Sequence, residues 1–74
     1  MKNKYIKVFK KIFGNIKNIE DLSVLTSQNW DSIKHFELIG NIENEFNIEL
    51  KANDIMKFNS FEKGVEILKK YKIS

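Results

Sequence analysis

Five serines, at positions 23, 27, 32, 60 and 74, one histidine and ten carboxylates are the side chains that could serve as nucleophile, base or ligand, and there is no cysteine. His35 stands three residues after Ser32, close enough on a helix for the two to touch. Nucleophilic catalysis needs a third group to orient the imidazole, and no carboxylate is obviously placed to do so. The apolar spacing also turns His35 toward the core side of its helix, where it reads as a partly buried residue near the preceding loop. Metal chemistry fares no better. One histidine with scattered glutamates does not reproduce zinc-ligand spacing, and the Asn- and Asp-containing loops lack the calcium pattern. No catalytic residue and no metal ligand is therefore expected.

The elements that position these side chains are read from hydrophobic spacing. Residues 3 to 13 predict a helix, with Tyr5, Ile6, Val8, Phe9, Ile12 and Phe13 on one broad side and Lys4, Lys7, Lys10 and Lys11 opposite. Gly14-Asn15 is a stop signal. Residues 15 to 30 keep no sustained period and predict a long loop, pinned by Ile16, Ile19, Leu22, Val24 and Leu25. Asp31 and Ser32 then open the clearest helix, either one able to cap it, and it should run to about Asn47. Its core stripe is His35, Leu38, Ile39, Ile42 and Phe46. Ile33 and Phe36 lie off that stripe, close to Ser32 and among Glu37, Gly40, Glu43 and Asn44. They form either a docking surface or a pair tucked under the preceding loop.

Residues 53 to 58 predict one short helical turn after an Asn53 or Asp54 cap. Asn59 and Glu62 resemble a capping box, followed by Phe61, Val65, Leu68 and Tyr71 on a last helix. Ile48-Glu49-Leu50 is too short for a convincing strand. The expected class is all-α, a small bundle of three main helices plus one short helix, with residues 1–74 as a single domain.

Composition sets the limits. The 74 residues are 42% apolar and 31% charged, enough for one core. No apolar run is long enough to span a bilayer, and the start alternates lysines with apolar residues, so stable membrane insertion is not expected and a cytoplasmic location is. The net charge of +3 conceals a reversal. Residues 1 to 17 carry six lysines and no acid, whereas residues 31 to 50 carry Asp31, Glu37, Glu43, Glu45 and Glu49 against Lys34 alone. All 13 basic residues are lysine, so no guanidinium fork is available to grip phosphate, and the acidic centre repels nucleic acid.

The segment from Trp30 to Leu50, WDSIKHFELIGNIENEFNIEL, resembles the prosthetic-group segment of acyl carrier proteins. Asp31-Ser32-Ile33 matches the triplet that opens the second helix of that family. Glu37-Leu38-Ile39 matches the step that follows, and Glu43-Asn44-Glu45-Phe46 with Ile48 and Leu50 matches the Glu-rich ending. Chain length, the helix-loop-helix opening, the short third helix and Asn59-Ser60-Phe61 leading into a final helix are similar to the family as well.

The resemblance implies that Ser32 is joined through a phosphodiester to 4′-phosphopantetheine by a separate phosphopantetheinyl transferase. A phosphate there would meet free N–H groups and the positive end of a helix dipole. It also implies that the second helix is read by acyl-loading and acyl-transfer enzymes with basic docking patches. Asp31, Glu37 and Glu43 match the usual acids, and Ile33 and Phe36 match the apolar contacts. The implied function is a non-catalytic, monomeric carrier of acyl thioesters in fatty-acid or a specialised lipid, polyketide or polysaccharide-linked pathway. Because the chain has no thiol, the thioester requires the added arm. Lys34, Asn44 and Gly40 depart from the family pattern, which weakens attraction and contact and narrows the set of partners. Trp30 before the triplet is similar to carriers of dedicated pathways, and its plainer role is to pack the loop onto the core. The family encloses a small apolar cavity, which the aromatic residues here could fill. Two other readings stay open: a peptidyl or aminoacyl carrier, and a lysine-rich helical module binding anionic surfaces.

Overall fold

The computed structural model describes residues 2–26 and 29–71, so Ser27 and Ser74 lie outside the described residues. Among the described residues four helices follow one another: α1 (Lys2–Phe13), α2 (Ser32–Phe46), α3 (Ala52–Lys57) and α4 (Phe61–Leu68), with a 3₁₀ turn at Ile19–Asp21 between the first two. Among the described residues the only extended pairing is an isolated bridge between Ser23 and Ser60. The all-α class and the count of three main helices plus one short helix are as the hydrophobic spacing predicts.

In α1 the stripe of Tyr5, Val8 and Phe9 is buried and the lysines at 4, 7, 10 and 11 are exposed. Gly14 ends the helix at φ +84°, a conformation that costs glycine nothing, and its N–H donates to the Lys10 carbonyl at 2.8 Å. The connection to α2 is a loop, and Ile19, Leu22 and Trp30 anchor it in the core. Val24 and Leu25 do not pin it as expected, and Leu25 is 96% exposed. The cause is a local turn in which the Ser23 and Thr26 hydroxyls bond each other at 3.0 Å and the Thr26 N–H donates to the Ser23 carbonyl, directing the intervening side chains outward.

Two expected caps move. The start of α3 is Ala52, and neither Asn53 nor Asp54 caps it; Lys51 stands at the cap without a side-chain bond. Asp54 lies inside the helix, buried, because its carboxylate accepts from Lys70 Nζ at 2.8 Å and from the Tyr71 hydroxyl at 2.6 Å. Helix α4 is capped by Ser60, whose Oγ accepts from the Lys63 N–H at 2.9 Å, so the Asn59–Glu62 capping box does not form. Two backbone bonds flanking the Ser23–Ser60 bridge explain the shift. Val24 N–H donates to the Asn59 carbonyl and Phe61 N–H to the Leu22 carbonyl, both at 2.9 Å, which holds Ser60 extended at the helix entrance. Tyr71 falls in the turn after α4 and not on the helix itself.

The interior is a continuous set of rings. Tyr5 meets Phe9 at 4.9 Å and Phe61 at 4.7 Å between centroids, Phe9 meets Phe61 at 5.0 Å and Trp30 at 5.8 Å, and Phe58 lies 6.4 Å from Tyr5, Phe9 and Trp30. Tyr5 and Phe58 close over Gly64 of α4, where a Cβ would coincide with the Tyr5 hydroxyl and the tip of the Phe58 ring. The Tyr5 hydroxyl donates to the Phe61 carbonyl at 2.7 Å, and burial pushes that phenol far above its ordinary value.

The Asp54 network gives the fold an acid-sensitive joint. Hydrogen bonds from Lys70 and then Tyr71 hold the Asp54 carboxyl below its ordinary value. A group lowered on folding stabilises the fold above its unfolded pKa, and that stabilisation is lost as pH falls through the folded value. The stability gap between the wild-type chain and Asp54→Asn, measured by urea titration, should be full at pH 6 and close below about pH 4.

Candidate functional site

Helix α2 begins at Ser32 because Asp31, in extended conformation, turns its carboxylate onto the Lys34 N–H at 2.9 Å while its carbonyl accepts from the His35 N–H at 2.8 Å. Of the two possible caps, Asp31 is the one used. Ser32 is the first helical residue and is exposed. Its own N–H and that of Ile33 precede the first residue able to join the i to i−4 ladder, so the Ser32 hydroxyl stands beside the positive end of a fifteen-residue helix.

Ile33 and Phe36 are 72% and 67% exposed. They are not tucked under the preceding loop. Glu37 is exposed on the same outward side, and its carbonyl accepts from the Asn41 side chain at 2.7 Å. Glu43 is placed differently: it is half-buried, and its Oε2 accepts from the Leu50 N–H at 2.8 Å, clamping the segment that follows α2. That clamp and the left-handed Asn47, φ 54°, turn the chain back toward α3. Asp31, Ser32, Ile33, Phe36 and Glu37 thus share an exposed surface, whereas Glu43 is engaged within the fold.

The floor beside Ser32 is built by Trp30 and His35. The indole N–H donates to His35 Nδ1 at 3.1 Å, and His35 Nε2 lies 2.8 Å from the Ile55 carbonyl. An indole N–H only donates and a carbonyl only accepts, so in this pair of bonds Nδ1 accepts and Nε2 donates. Both nitrogens are engaged, which removes His35 as a base for Ser32. The same geometry ties the end of the loop, α2 and α3 together at one side chain. Trp30 is buried against Phe9, Phe13 and Phe58, as a loop anchor should be.

Around Ser32 opens a cleft of about 500 Å³ whose walls include Val24, Phe36 and Met56, with Trp30 and Phe58 beneath. Met56 is 80% exposed, and it was not legible as a site residue because six residues of α3 are too few for a facial pattern. No group of three or more histidine or carboxylate side chains that could hold a metal exists among the described residues.

The chain is 33% identical, over 72 residues, to a protein named acyl carrier protein from Buchnera aphidicola subsp. Schizaphis graminum (strain Sg), an overlap that covers 89% of this chain and 91% of that protein. This chain belongs to the acyl carrier protein family. No protein-family model matches it, and no solved structure matches it significantly. The helical architecture above is therefore an independent point of agreement with the family, reached from the residues. No helix among the described residues is long and apolar enough to cross a membrane.

Within this acyl-carrier-family chain the Trp30–His35–Ile55 connection fixes the start of α2. His35→Leu leaves an indole N–H and a carbonyl without partners and should destabilise the fold by about 2–4 kcal/mol. His35→Gln, which can accept and donate along the same directions, should recover a substantial part in thermal melts. Equal loss in both variants would assign the effect to ring packing alone.

Proposed function

We propose that this chain is a non-catalytic acyl carrier whose Ser32 bears 4′-phosphopantetheine and whose outward α2 face docks acyl-handling enzymes. The observation that carries the proposal is the exposed Ser32 hydroxyl on the first residue of α2, within an Asp-Ser-Ile triplet of an acyl-carrier-family chain. The surroundings suit the group. Asp31 satisfies the Lys34 N–H and leaves the two amides before it to face a phosphate. The hydroxyl is open to a transferase, and nothing on the chain competes as a thiol.

In the attachment step, Ser32 Oγ forms a bond to the β-phosphorus of coenzyme A, the adenosine bisphosphate portion leaves with the electrons of the broken P–O bond, and the serine proton passes to a base of the transferase. The bound arm supplies the thiol on which an acyl group rides as a thioester. Ser32 fixes where that thiol is tethered, and tethering raises its local concentration at a docked partner. The pathway served is fatty-acid synthesis or a specialised lipid, polyketide or polysaccharide-linked route.

Intact-mass measurement after incubation with coenzyme A and a broad-specificity phosphopantetheinyl transferase tests the proposal. One added arm is expected; an unchanged mass beside a working control overturns it. Partner docking has its own test. Glu37→Lys reverses an exposed charge on α2 and should slow modification severalfold at low salt with helicity unchanged. An unchanged rate would assign Glu37 to solvated surface. Glu43 is unsuited to this test, because changing it releases the Leu50 amide.

A further inference from the structure

We infer that His35 is a positioning residue for the attachment point: it holds α3 in place so that Met56 and Phe36 meet the transferase together, as the two apolar walls of one docking surface around Ser32. The inference rests on the carrier reading and names a part of its docking surface. Its first support is the way α3 is held. Six residues are too few to be stable as a helix alone. Within α3 Asp54 is buried and Ile55 half-buried against the core, whereas Ala52, Asn53, Met56 and Lys57 are exposed, so packing secures little of it. Polar bonds join it to the fold on two sides. Asp54 accepts from Lys70 and Tyr71 beyond α4, and the Ile55 carbonyl lies 2.8 Å from His35 Nε2 on α2. The imidazole cannot swing away, because its other nitrogen accepts from the indole N–H of the buried Trp30. A side chain bonded at both ring nitrogens acts as a rigid spacer between the two helices.

The second support is where the spacer ends. The bonded carbonyl belongs to the residue just before Met56, and Phe36 is the residue just after His35, so one imidazole sets the separation of the two walls. Met56 and Phe36 are 80% and 67% exposed and line the same cleft as Ser32. An enzyme that forms a bond at Ser32 Oγ must seat over that cleft, and exposed apolar side chains at its rim are what such an enzyme would cover. The charge on the lining comes from Asp31, which caps α2; the α3 wall is apolar. Contact with Met56 therefore tolerates salt, unlike contact with the exposed carboxylate of Glu37. Met56 suits the task because its unbranched thioether side chain adapts to differently shaped surfaces.

The test uses the full chain, before it receives an arm, as the substrate of a broad-specificity phosphopantetheinyl transferase with coenzyme A, and reads kcat and KM for the chain. Met56→Ser, an exposed change, should raise KM about fivefold with kcat within about twofold, at high salt as at low, the signature of a lost uncharged docking contact. His35→Leu should raise KM at least as much, and His35→Gln, which can accept and donate along the same directions, should bring it back to within about twofold of the wild-type chain. The double variant decides the positioning role. Its KM should match that of His35→Leu within about twofold, because a Met56 already released has no contact left to lose. Amide hydrogen exchange in His35→Leu should quicken at Ile55 and Met56 and not at Leu38 and Ile42. Kinetics are taken where circular dichroism shows each variant folded, and His35→Asn, too short to reach both partners, replaces His35→Leu if that variant does not fold. An unchanged KM in Met56→Ser, or effects on KM that multiply in the double variant, would overturn the inference and leave the carrier reading intact. Failure of Ser32 in the wild-type chain to accept any arm would overturn the carrier reading, and this inference with it.

Discussion

Ser32→Ala is expected to abolish attachment of the arm completely while leaving the bundle as stable as before. The two halves of that outcome have separate physical causes. On the proposed function attachment depends on a single oxygen, because the bond would form from Ser32 Oγ to phosphorus and alanine offers no nucleophile. Stability does not depend on it, because the cap of α2 is the Asp31 carboxylate on the Lys34 N–H. Alanine has the highest intrinsic helix propensity, so at the first helical position the change should stay within about 0.5 kcal/mol. Asp31→Ala provides the converse. It removes the cap and should cost about 1 kcal/mol, yet the folded fraction should still be modified to one arm per chain. Intact mass and thermal melts of the two variants, measured together, decide the matter. An arm on Ser32→Ala would move the attachment point to another hydroxyl, and a large loss of stability would make Ser32 a structural residue.

The residues that make this separation possible were legible in different degrees. Long amphipathic segments declared themselves: the stripes of α1 and α2 followed from 3.6-residue spacing, and Asp31-Ser32 marked the start of α2. Position within a turn did not follow, because it is set by partners distant in sequence. Asp54 reads as a cap until Lys70 and Tyr71 arrive from the far end of the chain, and Asn59 reads as a cap until Leu22 and Val24 hold Ser60 in its place. The same limit governs the candidate site. Phe36 was visible as an apolar residue off the core stripe, whereas Met56 reaches the cleft only because α3 folds against His35 through the Ile55 carbonyl. Glu43 illustrates the reverse: an acid on the outward face by helical spacing, recruited by Leu50 once the chain turns at Asn47. Periodicity specifies which face a residue occupies, and tertiary hydrogen bonds decide whether it remains available there.

The second large effect concerns the interior. Gly64→Ala is ordinarily a stabilising exchange inside a helix, worth roughly 0.5–1 kcal/mol through backbone entropy and propensity. Here the sign should reverse. The added methyl would clash with the Tyr5 hydroxyl and the edge of Phe58, both of which belong to fully buried side chains. Relief requires α4 to move off α1, which would stretch the 2.7 Å bond from Tyr5 to the Phe61 carbonyl and open the ring contacts among Tyr5, Phe9 and Phe61. Overpacking of this kind costs about 3 kcal/mol or more. A domain of this size holds roughly 4–11 kcal/mol in total, so the variant should melt some 12–24 °C lower or fail to fold. Tyr5→Phe separates the steric cause from general helix damage. Alone it removes one hydrogen bond and should cost about 1 kcal/mol. Combined with Gly64→Ala it also removes the oxygen that the methyl group meets, so the double variant should be more stable than the sum of the single effects by about 1 kcal/mol. Strict additivity would mean that Phe58 alone resists the methyl group. An undisturbed Gly64→Ala melt would mean that Tyr5 and Phe58 have slack at this contact.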